Sequence, residues 1–181
     1  MMRRDAIENR QRIETCARQL FTDKGVDNVS MNQISKTLDI GMATLYRNFE
    51  DKPALCYQLI ENDFAALFAD MHAVLDDSGK ESSEKFEALL EAFLTFKKAH
   101  NDLLRCVEGN KKRTSFKQQP AYEELFKIFY AVLGESDDAT WNTFKTDMLL
   151  NSLTTNMYQF QLEERGLTDA QLKRYLLKMF E

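Results

Sequence analysis

No run of apolar residues in this chain approaches the roughly eighteen that a membrane-spanning helix requires, so a helical membrane span is excluded. The opening Met1-Met2-Arg3-Arg4-Asp5 lacks the apolar segment of a secretory signal; its two arginines read as a short arm, and the cytoplasm is the expected compartment. Histidine occurs only twice, as His72 and His100, on different predicted helices and without Cys or Asp at ligand spacing, so neither a metal nor another cofactor is expected. Cysteine occurs three times, as Cys16, Cys56 and Cys106, an odd count with no metal-type spacing. Apolar helix faces are expected to absorb these as buried thiols, with redox sensing at Cys106 the alternative. A Gly-rich phosphate loop, a nucleophile elbow and a readable catalytic triad are all missing. The paired acids Asp76-Asp77, Glu123-Glu124, Asp137-Asp138 and Glu163-Glu164 fall at helix ends or on exposed faces, which leaves no catalytic residue to assign and no enzyme to expect.

What the chain does have is 181 residues, 44% of them hydrophobic, enough to bury a core, and one highly informative stretch. Ser30 to Lys52 reads as two short amphipathic helices separated by a tight Leu38-Asp39-Ile40-Gly41 turn, the pattern of a helix-turn-helix. Ser30 followed by Gln33 is a capping box, and Met31, Ile34 and Leu38 mark one apolar stripe behind it. In the second helix Leu45 and Phe49, four apart, can face a core. That leaves Met42, Ala43, Thr44, Tyr46, Arg47 and Asn48 for solvent or DNA. Asp51 is placed to cap a third helix with Pro53 in its first turn, setting Lys52 beside free backbone N–H groups, a prospective phosphate site.

Thr44-Leu45-Tyr46-Arg47-Asn48-Phe49-Glu50-Asp51-Lys52-Pro53-Ala54-Leu55 resembles the Thr-Leu-Tyr-x-x-Phe run, followed by Lys and Leu, of the TetR/AcrR family of transcriptional regulators. Upstream, Ile13, Cys16, Ala17, Leu20 and Phe21 form a helical stripe closed by Gly25, as in the family's first helix. The resemblance covers about residues 5 to 60. Two positions depart from it: Asp39 stands where Gly is usual and Gly41 where a Ser-like cap is usual. Asp tolerates the left-handed conformation and Gly is an acceptable N-cap, so an altered but intact turn is expected, with one phosphate-touching hydroxyl gone. The resemblance implies an all-α fold in two domains, a helix-turn-helix DNA-binding domain over 1–52 and a helical effector-binding and dimerisation domain over 53–181. It places Tyr46 and Lys52 against the DNA backbone, and Asn32 joins Met42 to Asn48 in the expected contact set.

Charge is uneven: residues 1–52 carry a net charge of +1 within a chain of net −5, and specific binding depends on where a few cations meet phosphates. After the helix-turn-helix, a long helix from Asp51 to about Leu75 is the expected lever, and about seven helices follow in all, with Gly79, Gly109, Gly134 and Gly166 as C-terminal caps. The start of the helix bearing Phe86, Leu89, Leu90, Phe93 and Leu94 is read at Ser82-Ser83, and Asn110 to Pro120, with Lys111, Lys112 and Arg113, is read as a loop. Thirteen Phe and eight Met suit either a core or an apolar ligand cavity. The family implies an effector site, for which Phe64, Phe68, Phe86, Phe93, Arg105, Phe126, Tyr130 and Met148 are candidates, with Asn101, Glu108 and Asn151 as further polar groups. The segment from Asp137 to Arg165 is apolar on two faces, Trp141-Phe144-Met148 and Leu149-Leu153-Asn156-Phe160, and the last helix opens with a Thr168/Gln171 box. By resemblance the last helices pair with a second copy, through Leu149, Leu153, Phe160, Leu172, Tyr175, Leu176 and Met179.

The expected protein is thus a dimeric regulator, a repressor in preference to an activator, released from near-palindromic double-stranded operator DNA by a small-molecule effector with an apolar part. A ligand-independent DNA-binding protein and a helical interaction module without DNA recognition remain the alternatives.

Overall fold

The structure, a computed structural model, describes residues 2–109 and 120–180, with side chains from Glu8 onward. Among the described residues every regular element is helical: α1 (Met2–Lys24), α2 (Met31–Thr37), α3 (Met42–Asn48), α4 (Lys52–Asp76), α5 (Ser82–Ala99), α6 (Asn101–Glu108), α7 (Pro120–Leu133), α8 (Ala139–Ser152), α9 (Thr155–Gln159), a π-helical turn over Phe160–Glu164, and α10 (Asp169–Phe180). Arg3 and Arg4 belong to the first turns of α1 and do not form a separate arm. Asn110 and the Lys111, Lys112 and Arg113 cluster lie outside the described residues, whereas Pro120 opens α7, where its missing N–H costs nothing. No helix among the described residues is long and apolar enough to cross a membrane.

The chain divides into two compact units. The first comprises Met1–Asn62 with Asp102–Lys111, so it takes in the early turns of α4 and most of α6 as well as the helix-turn-helix. Its core is the stripe read from α1, with Ile13, Ala17, Leu20 and Phe21 buried, closed by Ile34, Leu45, Phe49 and Leu55. Gly25 ends α1 at φ 80°, the left-handed geometry a helix-closing glycine supplies.

The second unit, Asp63–Asn101 with Lys112–Glu181, packs α7 against α5 and α8, with α10 on α5 and α8. Phe129 is its hub: Phe86 and Phe93 meet it edge-on at 6.3 and 6.4 Å. Helix α5 begins at Ser82 as read, but its cap is Glu81, which forms a reciprocal capping box with Glu84. The Thr168/Gln171 box forms as read, with Gln171 N donating to Thr168 Oγ1 at 3.2 Å and Thr168 N to Gln171 Oε1 at 2.9 Å. Gly166 has φ 70°, and Gly109 and Gly134 stand directly after the last residues of α6 and α7, donating 2.9 Å bonds to the carbonyls of Arg105 and Tyr130 without adopting positive φ.

The two-faced segment from Asp137 is not one helix. Ser152 and Thr154 return their hydroxyls to the carbonyls of Leu149 and Asn151 at 2.6 and 2.9 Å, competing with the ladder, and the chain breaks between α8 and α9. The cysteines also differ from expectation. Cys56 is buried, but Cys16 and Cys106 are half-buried because each lies at the margin of its helix's apolar face.

Candidate DNA-binding surface

The path to the site begins with the cap of α2. Ser30, in extended conformation, accepts from Gln33 N through its hydroxyl at 3.2 Å, and Met31, Ile34 and Ser35 are then buried. The turn that follows is carried by Asp39 at φ 53°, the one non-glycine residue with positive φ among those described. Ser35, four per cent exposed, donates from its hydroxyl to the Ile40 carbonyl at 2.6 Å, so the chain leaving the turn is tied to the helix entering it. Gly41 then caps α3 through its carbonyl alone, accepting from Thr44 N at 2.9 Å and Leu45 N at 3.2 Å.

Helix α3 is anchored by Leu45 and by Phe49 just past its end, both buried. Arg10 on α1 closes that end: its guanidinium lies 4.5 Å from the Phe49 ring centroid and donates to the Asn48 carbonyl at 3.3 Å, a cation on the negative terminus of α3. Asn48 turns its amide back onto the Thr44 carbonyl at 2.8 Å. What remains outward is Ala43, Tyr46 and Arg47, all exposed, flanked by half-buried Met42 and Thr44, with exposed Asn32 on the neighbouring α2.

Lys52 is held inward. Asp51 caps α4 by accepting from Ala54 N at 2.8 Å, and the Lys52 ammonium donates to the Val26 carbonyl at 2.5 Å and lies 5.9 Å from the Phe21 ring centroid. Lysine has three N–H donors, so this bond leaves capacity for a phosphate while fixing where the ammonium stands. Further cross-links brace the module. Arg18 donates to the Leu59 carbonyl at 2.8 Å, and Arg105 on α6 pairs with Asp27 in the segment before α2. Arg10, Arg18, Ser35 and the Arg105–Asp27 pair escaped the reading of the sequence. Each acts on a residue of another helix or turn, and only Ser35, polar on the apolar side of α2, carries a local sign of its role.

The effector candidates divide between the two units. Arg105 belongs to the first unit, paired with Asp27. Within the second unit Phe86 and Phe93 are core residues around Phe129, Phe64 packs on Phe68 and Phe96 at 5.7 and 4.6 Å, Phe126 and Tyr130 stack at 5.7 Å beside a shallow groove, and Met148 is exposed. The same unit buries a cation that the sequence did not flag: Lys97 donates to Thr155 Oγ1 at 2.8 Å between the rings of Phe93 and Tyr158. The interface candidates also divide. Leu149, Leu153, Leu172 and Leu176 are buried within their own chain, whereas Phe160, Tyr175 and Met179 are exposed.

A second helix pinned at both ends across two others, with a polar and apolar face left outward, defines a helix-turn-helix DNA-binding module of a transcriptional regulator. The chain belongs to the tetR family of bacterial regulatory proteins, whose family pattern residues 15–58 match. It is 43% identical over 179 residues to an HTH-type transcriptional regulator of Staphylococcus aureus strain USA300, an alignment covering 99% of this chain and 96% of that relative. A counterpart in strain MRSA252 is 44% identical over the same lengths. Among solved structures, Thermus thermophilus FadR, a TetR-family transcriptional repressor in complex with lauroyl-CoA, matches with a TM-score of 0.73 at 16% identity, covering 94% of this chain and 92% of that one. A TetR-family regulator from Pectobacterium atrosepticum matches at 0.64 and 18% identity, covering 98% and 93%. These structural likenesses are of fold.

Proposed function

We propose that this TetR-family regulator is a homodimeric repressor that reads a near-palindromic operator through Met42, Ala43 and Arg47, with Tyr46 and Lys52 on the phosphates and Asn32, Thr44 and Asn48 completing the contact set. The observation that carries the dimer is the apolar surface left on the C-terminal helices. Trp141, Phe144 and Met148 on α8 are 51, 53 and 40% exposed, and Tyr175 and Met179 on α10 are 44 and 70% exposed. Side chains of this size left bare in series mark a surface that another protein covers, and one helix-turn-helix makes too few base contacts to discriminate alone. A second copy supplies both the cover and the second recognition helix. The interface therefore draws on Phe160, Tyr175 and Met179 from the expected set and on Trp141, Phe144 and Met148 in place of the buried leucines.

Release by an effector with an apolar part is the second element of the reading. It is supported by family membership and by two solved relatives in fold, Thermus thermophilus FadR in complex with lauroyl-CoA and Bacillus subtilis FadR in complex with stearoyl-CoA. The aromatic groups of the second unit provide the apolar material, and α4, continuous from one unit into the other, provides a path to the DNA-binding module. The test is sedimentation velocity combined with fluorescence anisotropy on promoter DNA of the protein's own operon. Phe144→Glu with Met148→Glu gives a folded monomer that has lost specific binding; a double variant that remains dimeric and binds normally refutes the interface, and a monomeric wild type at micromolar concentration refutes the dimer.

A further inference from the structure

Two of the three cysteines, fifty positions apart, meet in the first unit. Cys56 lies one turn into α4 and is completely buried, Cys106 lies on α6 and is half-buried, and the Cys56 thiol donates a hydrogen bond to the Cys106 sulfur. That bond holds the Cys106 thiol below its ordinary value, helped by the nearby Lys52 ammonium and opposed by burial, while the same bond and burial push Cys56 up. The pair is thus asymmetric: one thiol belongs to a half-buried residue and is inclined to ionise, and the other is completely buried, held protonated and hydrogen-bonded to it. Cys16 differs, because burial alone acts on it and raises it.

We propose that Cys56 and Cys106 form a thiol–disulfide switch in which the Cys106 thiolate attacks a hydroperoxide, Cys56 resolves the product, and the bridge weakens DNA binding. The Cys106 thiolate takes the terminal oxygen of the hydroperoxide. An S–O bond forms, the O–O bond breaks, the peroxide is reduced by two electrons and leaves as an alcohol or water after gaining a proton, and Cys106 becomes a sulfenic acid. The Cys56 sulfur then attacks the Cys106 sulfur; the S–S bond forms, the S–O bond breaks, and water leaves with the Cys56 proton. Two thiols and one hydroperoxide yield one disulfide, one alcohol or water molecule, and one water.

The bridge has a direct route to the DNA-binding elements. It joins α4, one turn after Lys52 grips the Val26 carbonyl, to α6, where the adjacent Arg105 grips Asp27. Val26 and Asp27 lie in the segment that leads into α2. Drawing the two sulfurs from hydrogen-bonded to covalent distance moves the two helices that hold this segment, and so shifts the frame on which α2 and α3 rest. This consequence for DNA rests on the repressor reading; the thiol chemistry does not.

The experiment treats the full reduced protein with hydrogen peroxide and follows it by intact mass, non-reducing peptide mapping and anisotropy on promoter DNA. Wild type loses about 2 Da, yields a Cys56–Cys106 linked peptide, and regains its mass with dithiothreitol. Cys16→Ser behaves identically, Cys106→Ser gives no intramolecular bridge, and Cys56→Ala leaves a sulfenic acid on Cys106 that dimedone traps. Oxidised wild type binds DNA on the order of tenfold more weakly than reduced. Oxidation that spares Cys106, or that bridges separate chains through Cys16, overturns the switch even if the Cys56 variant fails to fold. A bridge that forms without changing DNA affinity overturns its regulatory role, whereas reduced protein that never binds DNA overturns the repressor reading and leaves the thiol chemistry to be judged by mass alone.

Discussion

The Ser35 hydroxyl donates to the Ile40 carbonyl at 2.6 Å across the turn between α2 and α3. The bond joins a buried donor to the last residue before the Gly41 cap, so it sets the direction in which the recognition helix leaves the turn. Ser35→Ala strands the Ile40 carbonyl and is expected to cost about 1–2 kcal/mol, lowering the melting temperature by several degrees. Circular dichroism melts check the stability, and anisotropy on operator DNA should show weaker binding to every site variant, since the change tilts α3 without removing a contact.

The Asp39-Ile40-Gly41 turn carries two improvable positions. Asp39 sits at φ 53°, where glycine is free of the Cβ penalty, and Gly41 has an extended cap conformation with open space where a side chain would project. Asp39→Gly with Gly41→Ser is therefore expected to gain about 1 kcal/mol, from relief of strain and a new capping hydroxyl. Differential scanning calorimetry should show a higher melting temperature, while Asp39→Val, β-branched at positive φ, should show a lower one.

Arg10 and Arg47 separate support from contact. Arg10, half-buried, is turned onto the Phe49 ring and the Asn48 carbonyl, whereas Arg47 is exposed on α3. Arg10→Ala should weaken DNA binding with little change in the slope of log affinity against log salt. Arg47→Ala should relax base preference at one position per half-site if it reads guanine, or flatten the slope by roughly one unit if it meets a phosphate. Titrations at several salt concentrations against a panel of site variants distinguish these patterns.

A pH dependence follows from the tie between α5 and α10. Asp169 accepts from the Lys98 ammonium at 2.7 Å and from the Tyr158 hydroxyl at 2.7 Å, and these two bonds, Lys98 first, hold its carboxyl below the usual aspartate range. A carboxyl depressed in the folded state contributes stability that is present above its unfolded pKa and lost as pH falls through the folded value. Asp169→Asn should accordingly melt earlier than wild type at neutral pH, and the gap should close as the pH falls through the lowered folded value, below the usual aspartate range. Paired melts across that range provide the check.

Much of the first unit was legible because its signals are local. Ser30 caps α2, Asp51 caps α4, Gly25 closes α1, and Leu45 and Phe49 fall on one face, each within a turn or two of the residue it acts upon. The second unit was less so. Its helices are apolar on more than one side, so periodicity could not tell which face their own chain covers, and the family resemblance gave Leu149 and Leu153 to a second copy although both are buried within their own chain. The break at Leu153 was hidden because serine and threonine interrupt a helix through hydroxyl bonds that composition does not announce.

The sequence by itself determined the family, the helical class and the register of the recognition helix, since caps, left-handed turns and a short motif depend on neighbours along the chain. Only the tertiary structure decided which partners meet across helices. It turned Lys52 onto Val26, set Arg10 on Phe49, and brought Cys56 beside Cys106. It also decided that Phe144 and Met148 are left exposed while Leu149 and Leu153 are buried within their own chain. The physical reason is the same in each case: hydrophobic burial and hydrogen bonding act on whatever the fold brings within a few ångströms, and separation along the chain carries no record of that distance.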